Sequence, residues 1–292
     1  MARTEDAKVR ITHPERVIYP EKGITKQQVA DYYAAVMDAF LPGVTGRPTS
    51  VLRCPEGRGS ACFFQKHEIA GLKRVATVPM EEVSGARDEY LCPDSPDAVL
   101  ELVQFGSLEF HPWGALARDP GHATFVVFDL DPGPNVTWTD VVAGARAVRK
   151  VLAGMGLMSF VRLTGGKGVH VVAPLCPPCP WDAVKPFAQG IARSLAAQWP
   201  DRFVAVASKR ERAGMIFIDY LRNSRGATSV ASYSLRAREG APVAMPLRWD
   251  ELGRAGAASA FDMSKSMRRL ARQRSHPWEG WDDVRQGLPP IA

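Results

Sequence analysis

Apolar residues recur along this chain in two rhythms. Between about Lys26 and Leu41, Val29, Tyr32, Tyr33, Val36, Met37 and Phe40 fall on one face at helical spacing, and Thr25 is placed to cap the start of that helix. From 49 to 110 the stretches TSVLRC, ACFFQKH, KRVATVPM and VLELVQFGSLEF alternate over short spans, which predicts an antiparallel or mixed sheet with turns between its strands. The segment before them, up to about Pro20, reads as a strand or arm followed by a turn. Further on, the run TFVVFDLDPGP predicts a buried strand, then a helix from Thr137 or Thr139 to about Ala153. Strand MSFVRLT, turn GGKG, strand VHVVAPL, helix DAVKPFAQGIARSLAAQW and strand MIFIDY complete the pattern. The fold class expected is α/β, of the mixed-sheet α+β type, over one domain of residues 1–292. The Pro/Gly-containing stretch near 111–122 is the best internal boundary, dividing the chain into parts 1–115 and 116–292.

Composition adds a core and a modest charge. Of 292 residues, 46% are hydrophobic and 23% charged, which suits a soluble globular protein. The formal charge of +6 favours a polyanionic partner without requiring one. Its densest concentration, KSMRRLARQR at 265–274, reads either as a phosphate-facing surface or as a solvated helix face. Neither a secretory signal nor an apolar 18-residue span is apparent, so the default location is the reducing cytoplasm, with no membrane partner. The five cysteines do not form an even framework, and only Cys176 and Cys179 in CPPCP have metal-ligand spacing. With no convincing Cys or His partners, buried or loop cysteines are the stronger reading there.

The candidate chemistry lies at strand ends. In FDLDP, Asp129 and Asp131 are two residues apart on a strand, so their side chains share a face roughly 6 to 7 Å apart. Unpaired like charges in such a place need a cation or a base, although DPGP alone also reads as an ordinary turn. Asp219 in IFIDYLRN repeats the context, with Arg222 as an alternative structural partner. Three carboxylates are hard oxygen donors suited to two Mg²⁺ or Mn²⁺ ions and hence to phosphoryl transfer. RLTGGKGVHVV combines a glycine turn, the Thr164 hydroxyl and Lys167, but it lacks Walker A spacing and can equally be a surface hairpin. His170 follows on an alternating strand, where it reads either as a substrate contact or, slightly better, as a satisfied core histidine, and His111 ends another strand with more exposure to a cleft. Phe63 and Phe64 precede Lys66. One ring is expected in the core and one outside, where it could stack on a base with Lys66 near a phosphate. Arg16, Lys22 and Lys26 form a possible anion site at a helix start.

Taken in order, ITHPERVIYPEKGITKQQVADYY, FFQKH, LEFHPWG, FDLDP, TGGKGVHVV, IDYLRNSRGAT and YSLRAREGAPVAMPLRWDEL resemble the polymerase domain of bacterial multifunctional DNA ligase D, a branch of the archaeo-eukaryotic primase superfamily. The resemblance covers nearly the whole chain. It implies a primase-like catalytic core with an N-terminal mixed-sheet subdomain and template-dependent nucleotidyl transfer in bacterial non-homologous end joining. By the same resemblance Asp129, Asp131 and Asp219 ligate two divalent cations, Mn²⁺ or Mg²⁺. His111, Thr164, Lys167, Arg222 and Arg236 serve the incoming NTP or dNTP. Phe63, Phe64 and Lys66 serve the template, while Arg16 and Lys26 serve a downstream 5′ phosphate. The implied partners are DNA ends, gaps and primer-templates, a Ku-like end-binding protein and a DNA ligase, which would place the protein at the nucleoid. The chain departs from relatives at Arg16 for lysine, Thr164 for serine, Arg222 for glutamine and SYSLR for PYSLR. Neither a KxDG ligase signature nor a phosphoesterase histidine cluster is apparent, so the sequence reads either as an independently encoded polymerase or as a domain of a larger multifunctional protein; the alternatives to the repair polymerase are a stand-alone primase and a noncatalytic DNA-end-binding module.

Overall fold

The computed structural model describes residues 9–82 and 85–289, with the side chains of Lys209 and Glu211 excepted. The arm read before Pro20 therefore lies outside the described residues over positions 1–8. The chain divides into two compact units, one of Met1–Trp113, Thr228–Met245 and Phe261–Arg274, the other of Gly114–Ala227, Pro246–Ala260 and Ser275–Ala292.

In the first unit, β1 (Val17–Tyr19) and β2 (Ile24–Thr25) pair antiparallel and lead into α1 (Lys26–Phe40). Thr25 and Gln28 close a reciprocal capping box at its start, satisfying two otherwise orphaned amides. The predicted stripe is buried, and Tyr33 meets Phe40 and Phe110 edge-on, each at 5.2 Å between centroids. Tyr33 remains tolerable in that core because its hydroxyl donates to the Leu108 carbonyl at 2.7 Å. Strands β3 (Thr49–Arg53) and β4 (Phe63–Gln65) pair antiparallel, as do β5 (Ala76–Glu81) and β6 (Arg87–Cys92). Strand β7 (Ser107–Pro112) pairs with the other edge of β3. Between β6 and β7, VLELVQ is not a strand but the body of α2 (Pro96–Gln104). Ser95 accepts from the Ala98 amide, Pro96 supplies a preset first turn, and Ala98, Val99, Leu102 and Val103 bury a helical face. That capping signature outweighs the short alternation. Cys54 and Cys62, which no sequence pattern paired, form a disulfide spanning the connection between β3 and β4.

The second unit is built on a six-stranded sheet. Strand β8 (His122–Pro132) leads through α3 (Trp138–Gly154) to β9 (Phe160–Leu163), then β10 (Val169–Pro180), α4 (Trp181–Gln198), β11 (Phe203–Val204), β12 (Ile216–Asp219) and β13 (Pro246–Leu247). Their spatial order is β11-β12-β8-β10-β9-β13, antiparallel except for β11 with β12. Thr137 caps α3 in a box with Asp140. A side chain at Gly144 would press on Leu130, Ile216 and Phe203, so glycine lets α3 lie close to the sheet. Leu130 thus points toward α3, and Asp129 and Asp131 open on the opposite face. The chain then returns to the first unit, where α5 (Met263–Arg272) packs on α1. Among the described residues no helix is long and apolar enough to cross a membrane.

Candidate active site

Register, not sequence proximity, assembles the carboxylates. Asp219 on β12 lies directly opposite Asp129 on β8, and Phe217 opposite Asp131. The side chains of Asp129 and Asp219 are 17% and 14% exposed, whereas Asp131 is 48% exposed. Burial raises the Asp219 pKa and the neighbouring Asp129 charge adds to the rise, while the Leu221 amide, which donates to Asp219 Oδ1 at 2.7 Å, opposes it. Two guanidinium groups offset the negative charge. Arg222 Nε lies 3.7 Å from Asp129 Oδ2 and 3.6 Å from Asp219 Oδ2, and Arg212 donates to Asp131 Oδ2 at 2.7 Å. Among the described residues no three His, Cys, Asp or Glu side chains are grouped so as to hold a metal ion. The donor set nonetheless fits hard divalent cations: three carboxylates whose charge is met here by the cationic tips of Arg212 and Arg222.

The glycine turn lies beside this row. A Cβ on Gly168 would collide with the Leu130 carbonyl, so only glycine lets β10 start against β8 between the two aspartates. Gly165 takes a left-handed φ of 67°. The Thr164 hydroxyl donates to the Gly168 carbonyl at 2.9 Å and accepts from the Gly166 amide at 3.2 Å, holding the turn closed. Lys167 stands exposed at its tip. His170 is buried, as a satisfied core histidine would be, with polar partners at both ring nitrogens. Burial lowers its pKa to about 4 despite the opposing pull of Asp129.

The remaining candidates belong to the first unit. His111 is 9% exposed, against the open position expected of it, because Glu109 holds its Nε2 at 2.8 Å. Arg236 Nε donates to the same Glu109 oxygen at 2.8 Å, and the Ala237 amide donates to the other at 2.7 Å. Burial would raise Glu109, but the His111 hydrogen bond and the Arg236 charge outweigh it and hold the carboxyl at about 2. Phe63 and Phe64 are 45% and 63% exposed, so neither enters the core as strand alternation predicts, β4 being a short edge strand. Phe64 meets the His111 ring edge-on at 5.3 Å. Lys66 is paired with Glu82. Lys26 is buried, donates to the Thr12 carbonyl at 3.0 Å, and has a pKa lowered to about 8, first by burial and then by Arg16. Arg16 itself bonds the Pro55 carbonyl and Glu56. Lys22 pairs with Asp262 at 3.1 Å.

Three residues outside the sequence-predicted set carry weight here. Glu109 was accessible to pattern, standing two positions before His111 on one strand face. Arg212 had no local signal, and Arg162 is placed by the hairpin around the glycine turn.

The mixed sheet defines the class of fold, an α/β core like that of a primase-polymerase domain. The family model for LigD, primase-polymerase domain, matches residues 25–278. The multifunctional non-homologous end joining protein LigD of Pseudomonas aeruginosa is 39% identical over 289 residues, covering 98% of this chain and 34% of that protein. The corresponding DNA repair protein LigD of Mycobacterium tuberculosis is 34% identical over 261 residues, 86% of this chain and 34% of that protein. The solved polymerase domain from Mycobacterium tuberculosis Ligase D in complex with DNA superposes with a TM-score of 0.88 at 31% identity, covering 96% of this chain and all of that one. The chain belongs to the LigD primase-polymerase domain family and spans about a third of the length of these curated relatives.

Proposed function

We propose that this chain is a template-directed repair polymerase that extends a primer 3′ hydroxyl with NTPs or dNTPs at DNA ends and gaps during bacterial non-homologous end joining. One observation carries the reading: Asp219 is the direct register partner of Asp129, with Asp131 two residues along the same strand face. Asp129, Asp131 and Asp219 would hold two Mg²⁺ or Mn²⁺ ions, which when bound activate the attacking hydroxyl and neutralise charge on the triphosphate. The chain's own side chains bind and orient. Lys167, exposed at the turn tip, meets triphosphate oxygens, and Thr164 keeps that turn in shape. Arg222, with 45% of its side chain exposed, can exchange its carboxylate partners for phosphate. Glu109 holds His111 and Arg236 as a preorganised pair for the nucleotide. Phe63 and Phe64 offer exposed ring faces to template bases, with Lys66 near their backbone. Arg16 and Lys26 take a downstream 5′ phosphate. A Ku-like protein and a DNA ligase are the functional partners.

Primer extension on a gapped duplex with Mn²⁺ tests the reading. Asp129→Ala and Asp131→Ala are expected to abolish incorporation while leaving DNA affinity within a few-fold, and normal extension by either variant would sink the assignment. Binding without incorporation by the parent protein would mark a noncatalytic module. Synthesis on an unprimed template would mark a primase.

A further inference from the structure

The register that joins Asp129 to Asp219 continues across the sheet. Arg162 on β9 is the cross-strand partner of His170 on β10, and His170 is the partner of Asp129 on β8. Arg162 and His170 are 6% and 3% exposed, so neither is open to a bound nucleotide. Arg162 places a guanidinium NH2 nitrogen 2.8 Å from His170 Nδ1, and His170 Nε2 faces Asp129 Oδ2 at 3.5 Å.

A guanidinium has donors only, so Nδ1 must be the acceptor and cannot carry a proton. The ring is then neutral with its single proton on Nε2, the nitrogen that faces the carboxylate oxygen at 3.5 Å. The guanidinium is itself held in place. Its carbon lies 5.5 Å from the centroid of the Trp278 ring, whose Nε1 donates to the Val161 carbonyl at 2.9 Å. Trp278 is stacked in turn on Trp281 at 5.0 Å.

We propose that Arg162 is a positioning residue, acting through the tautomer of His170 to orient Asp129 for cation binding. Donors behind ligating carboxylates fix their orientation, and their loss ordinarily weakens metal affinity about 10- to 100-fold. The inference rests on the reading of Asp129 as a cation ligand, but its first test does not.

In the full chain, ¹⁵N-labelled at histidine and free of metal, long-range ¹H–¹⁵N imidazole correlations at neutral pH report the tautomer of each ring. His170→Gln identifies the signal. The parent protein is expected to show His170 protonated at Nε2 alone, and Arg162→Met to move the proton to Nδ1 or to mix the forms. A parent ring protonated at Nδ1, or unchanged in Arg162→Met, overturns the proposal, and the parent spectrum decides even if the variant does not fold. Mn²⁺ titration followed by electron paramagnetic resonance supplies the second readout. Arg162→Met and His170→Ala are expected to raise the dissociation constant about 10- to 100-fold. His170→Gln, whose amide N–H can replace Nε2–H, is expected to stay within a few-fold of the parent, and no rescue relative to His170→Ala overturns the positioning role. If the parent binds no Mn²⁺ and extends no primer, the polymerase reading fails while the tautomer result stands separately.

Discussion

Lys26 shows how a single side chain can tie recognition to pH. With its ammonium buried beside Arg16 and its pKa lowered to about 8, it is charged at neutral pH and loses that charge above pH 8. Preference for a gapped duplex with a 5′ phosphate over its dephosphorylated twin is therefore expected to fall between pH 7 and 9, by fluorescence anisotropy at matched salt. A preference unchanged across that range would remove Lys26 from the phosphate site. Glu109 makes a stability prediction. Its carboxyl is depressed from the usual 4.5 to about 2, so its contribution is fully present above pH 4.5 and is lost as pH falls through 2. Glu109→Gln is expected to cost roughly 3 kcal/mol at pH 7 by urea denaturation, with the gap closing toward pH 2.

Among the elements, α5 is the clearest case of a face with chemistry but no assigned task. Arg268 and Arg272 stand four apart on its exposed side, and its first turn holds Lys265. Replacing Arg268 and Arg272 by alanine is expected to reduce the slope of log affinity against log salt for duplex DNA by about 0.9 for each phosphate those arginines neutralise. An unchanged slope would leave α5 a solvated face. The short β4 edge strand carries the comparable expectation for Phe63 and Phe64. Alanine at either is expected to weaken single-strand template binding by about 1 to 3 kcal/mol, because an exposed ring is available for stacking.

At the level of the whole molecule the chain leaves and re-enters both units, and its later segments complete each of them. Residues 228–245 accept the buried Tyr32 hydroxyl at the Tyr233 carbonyl in the first unit, while β13 and Trp278 complete the sheet side of the second. Ending the chain after Ala227 is expected to abolish a cooperative thermal transition in circular dichroism rather than lower its midpoint by a few degrees, since both cores lose buried partners. A retained cooperative melt would show that one unit is self-sufficient.

Periodicity and capping chemistry are local, so α1, α3, α4 and the strands around FDLDP, TGGKG and IFIDY could be read from the order of residues alone. Ser95 and Pro96 held the signal for α2 as well, though alternation in VLELVQ obscured it. Hairpin symmetry about the glycine turn even made the pairing of Arg162 with His170 legible, since two strands joined by a short turn pair outward from it. The rest came only with the folded chain. Asp219 meets Asp129 through pairing of strands about ninety positions apart, and Arg212 reaches Asp131 from a distant turn. Such meetings depend on sheet order and register, which no window of neighbouring residues contains.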